Sequence, residues 1–471
     1  MVAPTVPPAA SPLPRTDILR WSVLGRLLRA RRGRLLFQLL LLLWAALVIY
    51  DGLTGPQLAP ENLATVSVWL HYRGLVVLLL LLAGNFFCMA CPFTLPRTLA
   101  PRLSEAGWRW PRALRNKWTA VATFVLLLLI YEWFDLWASA WLTAWLTVAY
   151  FAAAFILEAL FRESAFCKYV CPLGTFNFLG AAISPSQITV HSRDVCRTCP
   201  GKECVNGSAE VVGCGTLLFP PQMSSNMDCV FCLDCARACP YDNVALTPRS
   251  PLAELVDPAS WPLRWDLGLL ALVFAFSALG NAFGMVPPFY ALLEALGRLP
   301  AGVRLLAIFG SLELLLPAFA GLGAAALGRA LAATREPLRH TFARYAPTVL
   351  PLAFAIWLAH YGFHFATGAL AIVPALHAFL LDHGLPLAGR PDWTLSALLP
   401  FSWLLPLQMA ATLVGLGGSL YVLERRTRSA VPAAKARGAQ LPWAVLWLLV
   451  ALAAVYLFTL PMEMRGTSFF N

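Results

Sequence analysis

Four cysteines in the middle of the chain have a spacing that is typical of iron-sulfur ligation. They form the run C-x2-C-x2-C-x3-C-P, made of Cys229, Cys232, Cys235, Cys239 and the following Pro240. Bacterial ferredoxins use this spacing to hold a [4Fe-4S] cluster, because thiolates are soft ligands for iron and four are needed per cluster. The run therefore predicts cluster binding and one-electron chemistry.

A second cysteine run lies upstream and is less regular, and nine residues separate Cys214 from its last close member. In two-cluster ferredoxins the distant cysteine of a run ligates the other cluster. This rule predicts one cluster on Cys196, Cys199, Cys204 and Cys239, and another on Cys214, Cys229, Cys232 and Cys235. Zinc is the alternative, because paired C-x2-C units suit tetrahedral zinc, but it explains the downstream run poorly.

The remaining four cysteines belong to an internal repeat. Two apolar segments followed by Cys88-Met-Ala-Cys91-Pro92 are matched by two more, followed by Cys167-Lys-Tyr-Val-Cys171-Pro172. Each unit has two spans, so both copies have the same orientation about an axis along the membrane normal. The cysteine pairs should therefore meet at one membrane face, as a third cluster or metal site or as structural or redox-exchanging pairs.

Histidines near the other membrane face are candidate ligands for haem b or copper. His71 lies beside Arg73, which could pair with a haem propionate, and His360 and His364 share a helix face. Imidazoles that face each other within a bundle can hold a metal. Interfacial anchoring is the alternative role for these side chains.

Methionines and acidic residues add weaker signals. Met409, Met462 and Met464 would suit copper(I), although methionine is also an ordinary gap-filler. Glu158 and Glu313 fall within apolar segments, where carboxylates are candidates for proton or quinone chemistry.

The elements that position these residues are long apolar segments. The chain of 471 residues is 59% hydrophobic and 13% charged, with a mean hydropathy of +0.68, which places it among polytopic membrane proteins. At ~20 residues per crossing helix, we predict nine spans: Arg34–Tyr50, Val66–Phe87, Trp118–Ala138, Ala140–Leu160, Asp266–Phe283, Val303–Leu327, Thr348–Ala366, Leu398–Leu423 and Leu441–Leu460.

The distribution of charge predicts the topology. The formal net charge of +11 is concentrated in alternate loops, which indicates cytoplasmic loops and not a nucleic-acid surface. The N-terminus and the cysteine-rich stretch should thus be cytoplasmic, and an odd span count puts the C-terminus in the periplasm. We expect a multi-pass protein of the bacterial cytoplasmic (inner) membrane.

Four regions follow from these patterns. Residues 1–33 should be disordered and then form a basic amphipathic segment on the membrane surface, and residues 34–183 should form the four-helix repeat. Residues 184–259 should form a small ferredoxin-like α+β domain, and residues 260–471 a five-helix membrane domain. The fold class is therefore an all-α polytopic membrane protein with an inserted two-cluster domain.

Taken together, the motifs from about Val66 to Thr247 resemble the membrane polyferredoxins of the NapH, NosR and CcoG type. These proteins share paired helices that end in Cys-Pro motifs, followed by a cytoplasmic two-cluster domain. The resemblance implies electron transfer between a quinol or cytoplasmic donor and a respiratory or periplasmic partner, with quinol dehydrogenase activity as one form. The quinone pool and other subunits of a respiratory or reductase complex would be its partners within the lipid bilayer.

Two other functional classes remain open at this point. The first is a maturation factor that reduces a metal such as copper, or a disulfide, for a partner metalloenzyme. The second is a sensor whose clusters report redox state.

Overall fold

The computed structural model describes residues 16–30, 33–95, 107–161, 163–385 and 389–463. The described part is mostly helical, which confirms that aspect of the predicted fold class. Eight of its helices are long and apolar enough to cross a membrane, and a ninth apolar helix, α3, is shorter. In chain order the nine are α1 (Gly33–Thr54), α2 (Leu63–Leu82), α3 (Trp118–Trp133), α4 (Ala140–Leu160), α5 (Trp265–Phe283), α6 (Ala301–Leu331), α7 (Leu338–Asp382), α8 (Phe401–Ala430) and α9 (Ala433–Thr459).

Helix α3 is shorter than its predicted span, which extended to Ala138. It ends at Trp133, and Asp135 then takes a left-handed conformation with a φ of 45°, which a right-handed helix cannot continue through. At 1.5 Å per residue, its 16 residues reach about 24 Å, less than the ~30 Å hydrocarbon core. Each of the other eight predicted spans overlaps one long helix.

Three π-helical segments interrupt or follow the long helices. They cover Val66–Tyr72 in α2, Phe166–Val170 after α4, and Ser311–Leu315 in α6. Such segments are rare and often mark functional sites. These three contain His71, Cys167 and Glu313, all of which the sequence singled out. Helix α7 is interrupted instead by 3-10 turns at Ala346–Val349 and Ala369–Ala371.

Helix α5 lies at the centre of the bundle. Its apolar window is 94% buried, whereas those of α1, α4, α6 and α8 are 28% buried or less. Phe274 of α5 packs against Phe124 of α3 and Phe176, and its carbonyl accepts a hydrogen bond from Trp357 of α7 at 2.9 Å. The main hydrophobic core therefore joins the N-terminal repeat to the C-terminal helices through α5.

The polar insertion contains two short strands and several single-turn helices. Strands β1 (Ser186–Val190) and β2 (Val244–Pro248) are antiparallel, with Ser186 opposite Pro248. Between and after them are the helices Arg193–Thr198, Glu203–Asn206, Pro220–Gln222, Asp234–Ala238 and Ala253–Val256. Other short helices of the described chain are Ile18–Arg20, Leu24–Arg29, Ala59–Glu61, Phe86–Ala90, Pro92–Thr94, Arg112–Leu114, Pro172–Ala181 and Pro287–Ala295.

The N-terminal segment packs on this insertion. Residues 1–15, predicted to be disordered up to Pro14, lie outside the described residues. Asp17 caps the first turn by accepting a hydrogen bond from Leu19 N, and it also accepts one from Leu246 N of β2 at 3.2 Å. Leu19 and Leu28 are buried in a core with the strands. These two side chains contact protein, whereas the sequence predicted a helix lying on the membrane surface.

Candidate metal centres

The structure brings together the first set of cysteines that the crossover rule predicts. This set, called here the Cys196 quartet, consists of Cys196, Cys199, Cys204 and Cys239. All four line one pocket, whose wall includes Phe219 and Pro220. Cys204 interacts electrostatically with each of the other three. Cys239 thus joins the upstream run, although it belongs to the downstream run in sequence.

The second predicted set is also assembled. This Cys214 quartet consists of Cys214, Cys229, Cys232 and Cys235, and Cys235 interacts electrostatically with the other three. Cys232 and Cys235 are buried. Phe231 and Leu233, each about 1% exposed, enclose this side of the site. The eight cysteines are therefore grouped as the crossover rule predicts, with Cys239 beside the upstream run and Cys214 beside the downstream run.

An unusual backbone winds around the two quartets. Among the described residues, eight non-glycine residues have positive φ, and six of them lie in this region: Lys202, Leu217, Asp228, Phe231, Leu233 and Asp242. Phe231 and Leu233 lie between cysteines of the Cys214 quartet and have φ values of 54° and 60°. Left-handed conformations are costly for such residues and are concentrated at ligand-binding sites. Sequence patterns gave no signal for this feature.

The thiols are held as buried, hydrogen-bonded groups. Burial raises the pKa of Cys232 to about 12 and that of Cys204 to about 11. Sulfur atoms also accept hydrogen bonds: Asn243 donates to Cys196 from its amide side chain at 3.1 Å, and Leu218 N donates to Cys214 at 3.3 Å. Such bonds tune the potential of a bound cluster.

The donor sets consist of thiols, the ligand type that iron-sulfur clusters use. In the described part of the chain, no three His, Cys, Asp or Glu side chains are close enough to ligate one metal ion together. Four thiolates around one zinc would lie about 3.8 Å apart, since each bonds at ~2.3 Å in a tetrahedron. In a cluster the thiolates bind different irons, so wider spacing is compatible with ligation.

The two Cys-Pro motifs also meet, as the repeat predicts. Cys88, Cys91, Cys167 and Cys171, called here the Cys88 quartet, interact electrostatically with one another. Cys171 caps the helix Pro172–Ala181, and its sulfur accepts a hydrogen bond from Gly174 N at 3.2 Å. The Cys88 sulfur accepts one from Asn177 at 3.3 Å. Glu158 lies beside Cys167 and accepts a hydrogen bond from Ser164.

His360 and His364 are buried on α7, whereas His71 is partly buried on α2. Both ring nitrogens of His71 contact carbonyl oxygens, of Val66 at 3.0 Å and of Ala369 at 2.7 Å. His71 would have to break one of these bonds to bind a metal. The rings of His360 and His364 are perpendicular with centroids 4.8 Å apart, and His360 Nε2 lies 3.1 Å from Asn281 Oδ1.

Arg73 lies in an aromatic cage. Its guanidinium carbon is 4.3 Å from the Tyr131 ring centroid, 4.7 Å from that of Trp69 and 5.0 Å from that of Tyr361. Cation-π contacts of this kind stabilise a buried arginine. The three rings therefore provide part of the stabilisation of the Arg73 charge that a haem propionate was expected to provide.

The remaining predicted residues lie in separate places. Glu313 is about 1% exposed in the π segment of α6, close to Gly280 and to Glu132, which the sequence reasoning missed. Met409 is 37% exposed on α8, and Met462 lines an outer cavity with Met285. Met464 lies outside the described residues.

Comparisons with protein-family models, with curated proteins and with solved structures find no match for this chain. Its long apolar helices are those of a multi-pass helical membrane protein, and its cysteines form three quartets. Its resemblance to the membrane polyferredoxins rests on the motifs alone.

Proposed function

We propose that this protein is a membrane-bound electron-transfer protein with two [4Fe-4S] clusters, one in the Cys196 quartet and one in the Cys214 quartet. The observation that carries the proposal is the crossed grouping of the eight cysteines. That grouping pairs Cys239 with the upstream run and Cys214 with the downstream run, which a pair of local zinc sites would not require.

Each bound cluster would accept and release one electron at a time. The chain's own residues hold the thiolates and control their surroundings. Phe231 and Leu233 exclude water from the Cys214 quartet. Asn243 donates to Cys196 from its side chain and to Cys239 from its backbone, at 3.1 Å and 3.4 Å. These donors stabilise negative charge on sulfur and so favour the reduced state.

The insertion is anchored directly beneath the helices. Lys117, which precedes α3, donates to the carboxylate of Asp228 and to the carbonyl of Lys168. Lys168 in turn donates to Thr216 O at 2.6 Å, close to Cys214. The Cys214 quartet is therefore the one held against the membrane helices, and we propose that electrons pass between the bilayer and the insertion through it.

We propose the topology that the charged loops predict, with the insertion in the cytoplasm of a bacterium and the protein in its inner membrane. A periplasmic acceptor would then lie beyond ~30 Å of hydrocarbon. Electrons need an intermediate carrier over that distance. A quinol from the membrane pool is the carrier we favour, because the ring nitrogens of His71 lie 3.0 Å and 2.7 Å from the carbonyl oxygens of Val66 and Ala369, and a haem iron would have to displace one of these contacts.

The test is metal and sulfide analysis of the full-length protein in detergent, prepared without oxygen. These two quartets should contribute about eight iron atoms and eight labile sulfides. Cys196→Ser with Cys199→Ser should remove about four irons, and Cys229→Ser with Cys232→Ser another four. Thr198→Ala, an exposed change beside Cys199, is the control and should keep all iron. Zinc without labile sulfide would overturn the proposal.

Quinol oxidation is tested separately. A reduced quinone analogue, mixed anaerobically with the oxidised protein, should produce the EPR signal of reduced clusters. If reduced ferredoxin or another cytoplasmic donor produces this EPR signal and the quinol does not, electrons flow from the cytoplasmic donor towards the bilayer.

A maturation role is favoured by one observation. Met285 and Met462 line the same cavity at the outer end of α5 and α9, where soft sulfur suits copper(I). Against disulfide reduction, burial raises the pKa values of the quartet thiols, which lowers their reactivity as thiolates. This role would be supported if the protein binds copper stoichiometrically and the Met462→Leu variant loses it. It would be excluded if the purified protein contains no copper and oxidises quinol.

A further inference from the structure

The Cys88 quartet has the burial and the donors of a cofactor site. Cys88 and Cys171 are 8% and 7% exposed. Two sulfurs accept hydrogen bonds, Cys88 from Asn177 and Cys171 from Gly174 N. No disulfide is formed among the described cysteines, although the four thiols interact electrostatically. The quartet is thus a set of four buried sulfur donors from two symmetry-related turns.

Two buried tyrosine hydroxyls border the same space. Tyr72 of α2 interacts with Cys88, Cys171 and Cys91, and Tyr150 of α4 with Cys171 and Cys91. Neither hydroxyl has a hydrogen-bond partner among the residues that the structure describes. Buried polar groups in proteins are nearly always paired. These two hydroxyls, from the two halves of the repeat, therefore indicate that an acceptor such as a sulfide or a thiolate belongs between them.

Asn85 connects this quartet to the Cys214 quartet. Its side chain is fully buried, donates to the carbonyl of Cys229 at 3.0 Å, and also lies beside the thiol of Cys88. One side chain thus contacts a ligand residue of each quartet. Solvent does not reach the Asn85 side chain that joins the two sites.

Arg34 makes a second connection, by charge. It pairs with Asp234 at 2.8 Å and donates to Met89 O and to Thr94. It interacts electrostatically with both Cys91 and Cys232. A positive charge placed between two anionic iron sites favours the reduced form of both.

We propose that the Cys88 quartet binds a third iron-sulfur centre, ligated by the four cysteines of the two Cys-Pro motifs and connected to the Cys214 quartet through Asn85 and Arg34. Four cysteines suit either a two-iron or a four-iron cluster. Electron transfer between the third centre and the Cys214 quartet rests on the proposed function, because it needs a cluster in that quartet. Binding of the third centre itself does not. One electron would leave one centre and enter the other, with no bond made or broken.

Iron and sulfide counts test the binding. The wild-type protein should hold about ten or twelve irons, and Cys88→Ser with Cys171→Ser should hold about eight. Trp145→Phe, an exposed change on α4, is the control and should keep the wild-type count. A wild-type count of about eight, or no loss in the double variant, would overturn the third centre and leave the proposed function intact. If instead the only iron present is lost in the double variant, the third centre stands and the proposed function fails.

Arg34 variants test the connection without removing a ligand. Arg34→Gln should lower the midpoint potentials of two centres, those of the Cys88 and Cys214 quartets, in an EPR-monitored titration, while Arg34→Lys should restore most of the shift. The centre of the Cys196 quartet should not change. A shift confined to the Cys214 quartet would contradict the arrangement.

Discussion

Arg249 offers a quantitative test of how the cysteine-rich insertion is attached to the membrane helices. Its guanidinium pairs with Glu254 at 2.6 Å, and the two side chains are 4% and 0% exposed. Arg249 also donates to the carbonyls of Ala181 and Ser184, at 2.7 Å and 3.0 Å. Glu254 accepts from Asn226 N, three residues before Cys229.

Replacing Arg249 by alanine leaves the Glu254 carboxylate buried without its partner. Breaking a buried ion pair in this way costs about 3–5 kcal/mol, or roughly a hundredfold or more in the folded-to-open ratio. Burial raises the pKa of Glu254 even in the wild type. Without Arg249 the folded state should bind a proton there more readily, so the deficit in stability should shrink as the pH falls. Arg249→Ala with Glu254→Gln should recover part of the loss.

Limited proteolysis within residues 184–259 measures this effect in the detergent-solubilised protein. When opening is fast relative to cleavage, the cleavage rate reports the population of the open form. Arg249→Ala should raise that rate about a hundredfold or more. The control is Arg197→Ala, which removes an exposed ion pair with Asp194 and should change the rate by no more than about fivefold. Equal rates in the two variants would refute the reasoning.

Three further predictions concern the candidate sites. Asn243→Leu removes the donor to Cys196 at 3.1 Å and should lower the midpoint potential of the Cys196 quartet's centre alone in an EPR-monitored titration. In folded, metal-free protein, Cys232 should alkylate about a thousandfold more slowly at pH 8 than in urea, because burial raises its pKa from 9.0 to about 12; equal rates would contradict this environment. His71→Phe should leave the visible spectrum unchanged, whereas loss of a haem band would restore the haem hypothesis.

Much of the helical framework could be predicted from hydropathy, because apolar runs of span length have few other uses. The end of α3 could not. Leu136 and Trp137 continue the apolar pattern, and only the left-handed Asp135 ends the helix. The packing of Leu19 and Leu28 on the strands could not be predicted either, because an apolar face suits a lipid surface and a protein surface equally well.

The grouping of cysteines could be predicted because ligand spacing is local and the crossover rule is general. The residues around the sulfurs could not. Arg34 had the appearance of one more topological charge, and Asn85 lies inside the predicted span Val66–Phe87, three residues before Cys88. Both act across large sequence separations, Arg34 on Asp234 and Asn85 on Cys229. Single-sequence patterns contain no information about such contacts.

The burial of α5 has a consequence for biosynthesis. Helices leave the ribosome in order, so α5 is inserted before α6 to α9 exist to surround it. Until they arrive, the face that they will cover is exposed to lipid, which is as apolar as its final neighbours. Nothing in its hydrophobicity therefore drives it inward. Side-chain fit, such as Gly268 against Phe342 and Gly280 against Glu313, must select its position after the last helix is made. Chains truncated after α5 should accordingly insert but remain susceptible to membrane proteases.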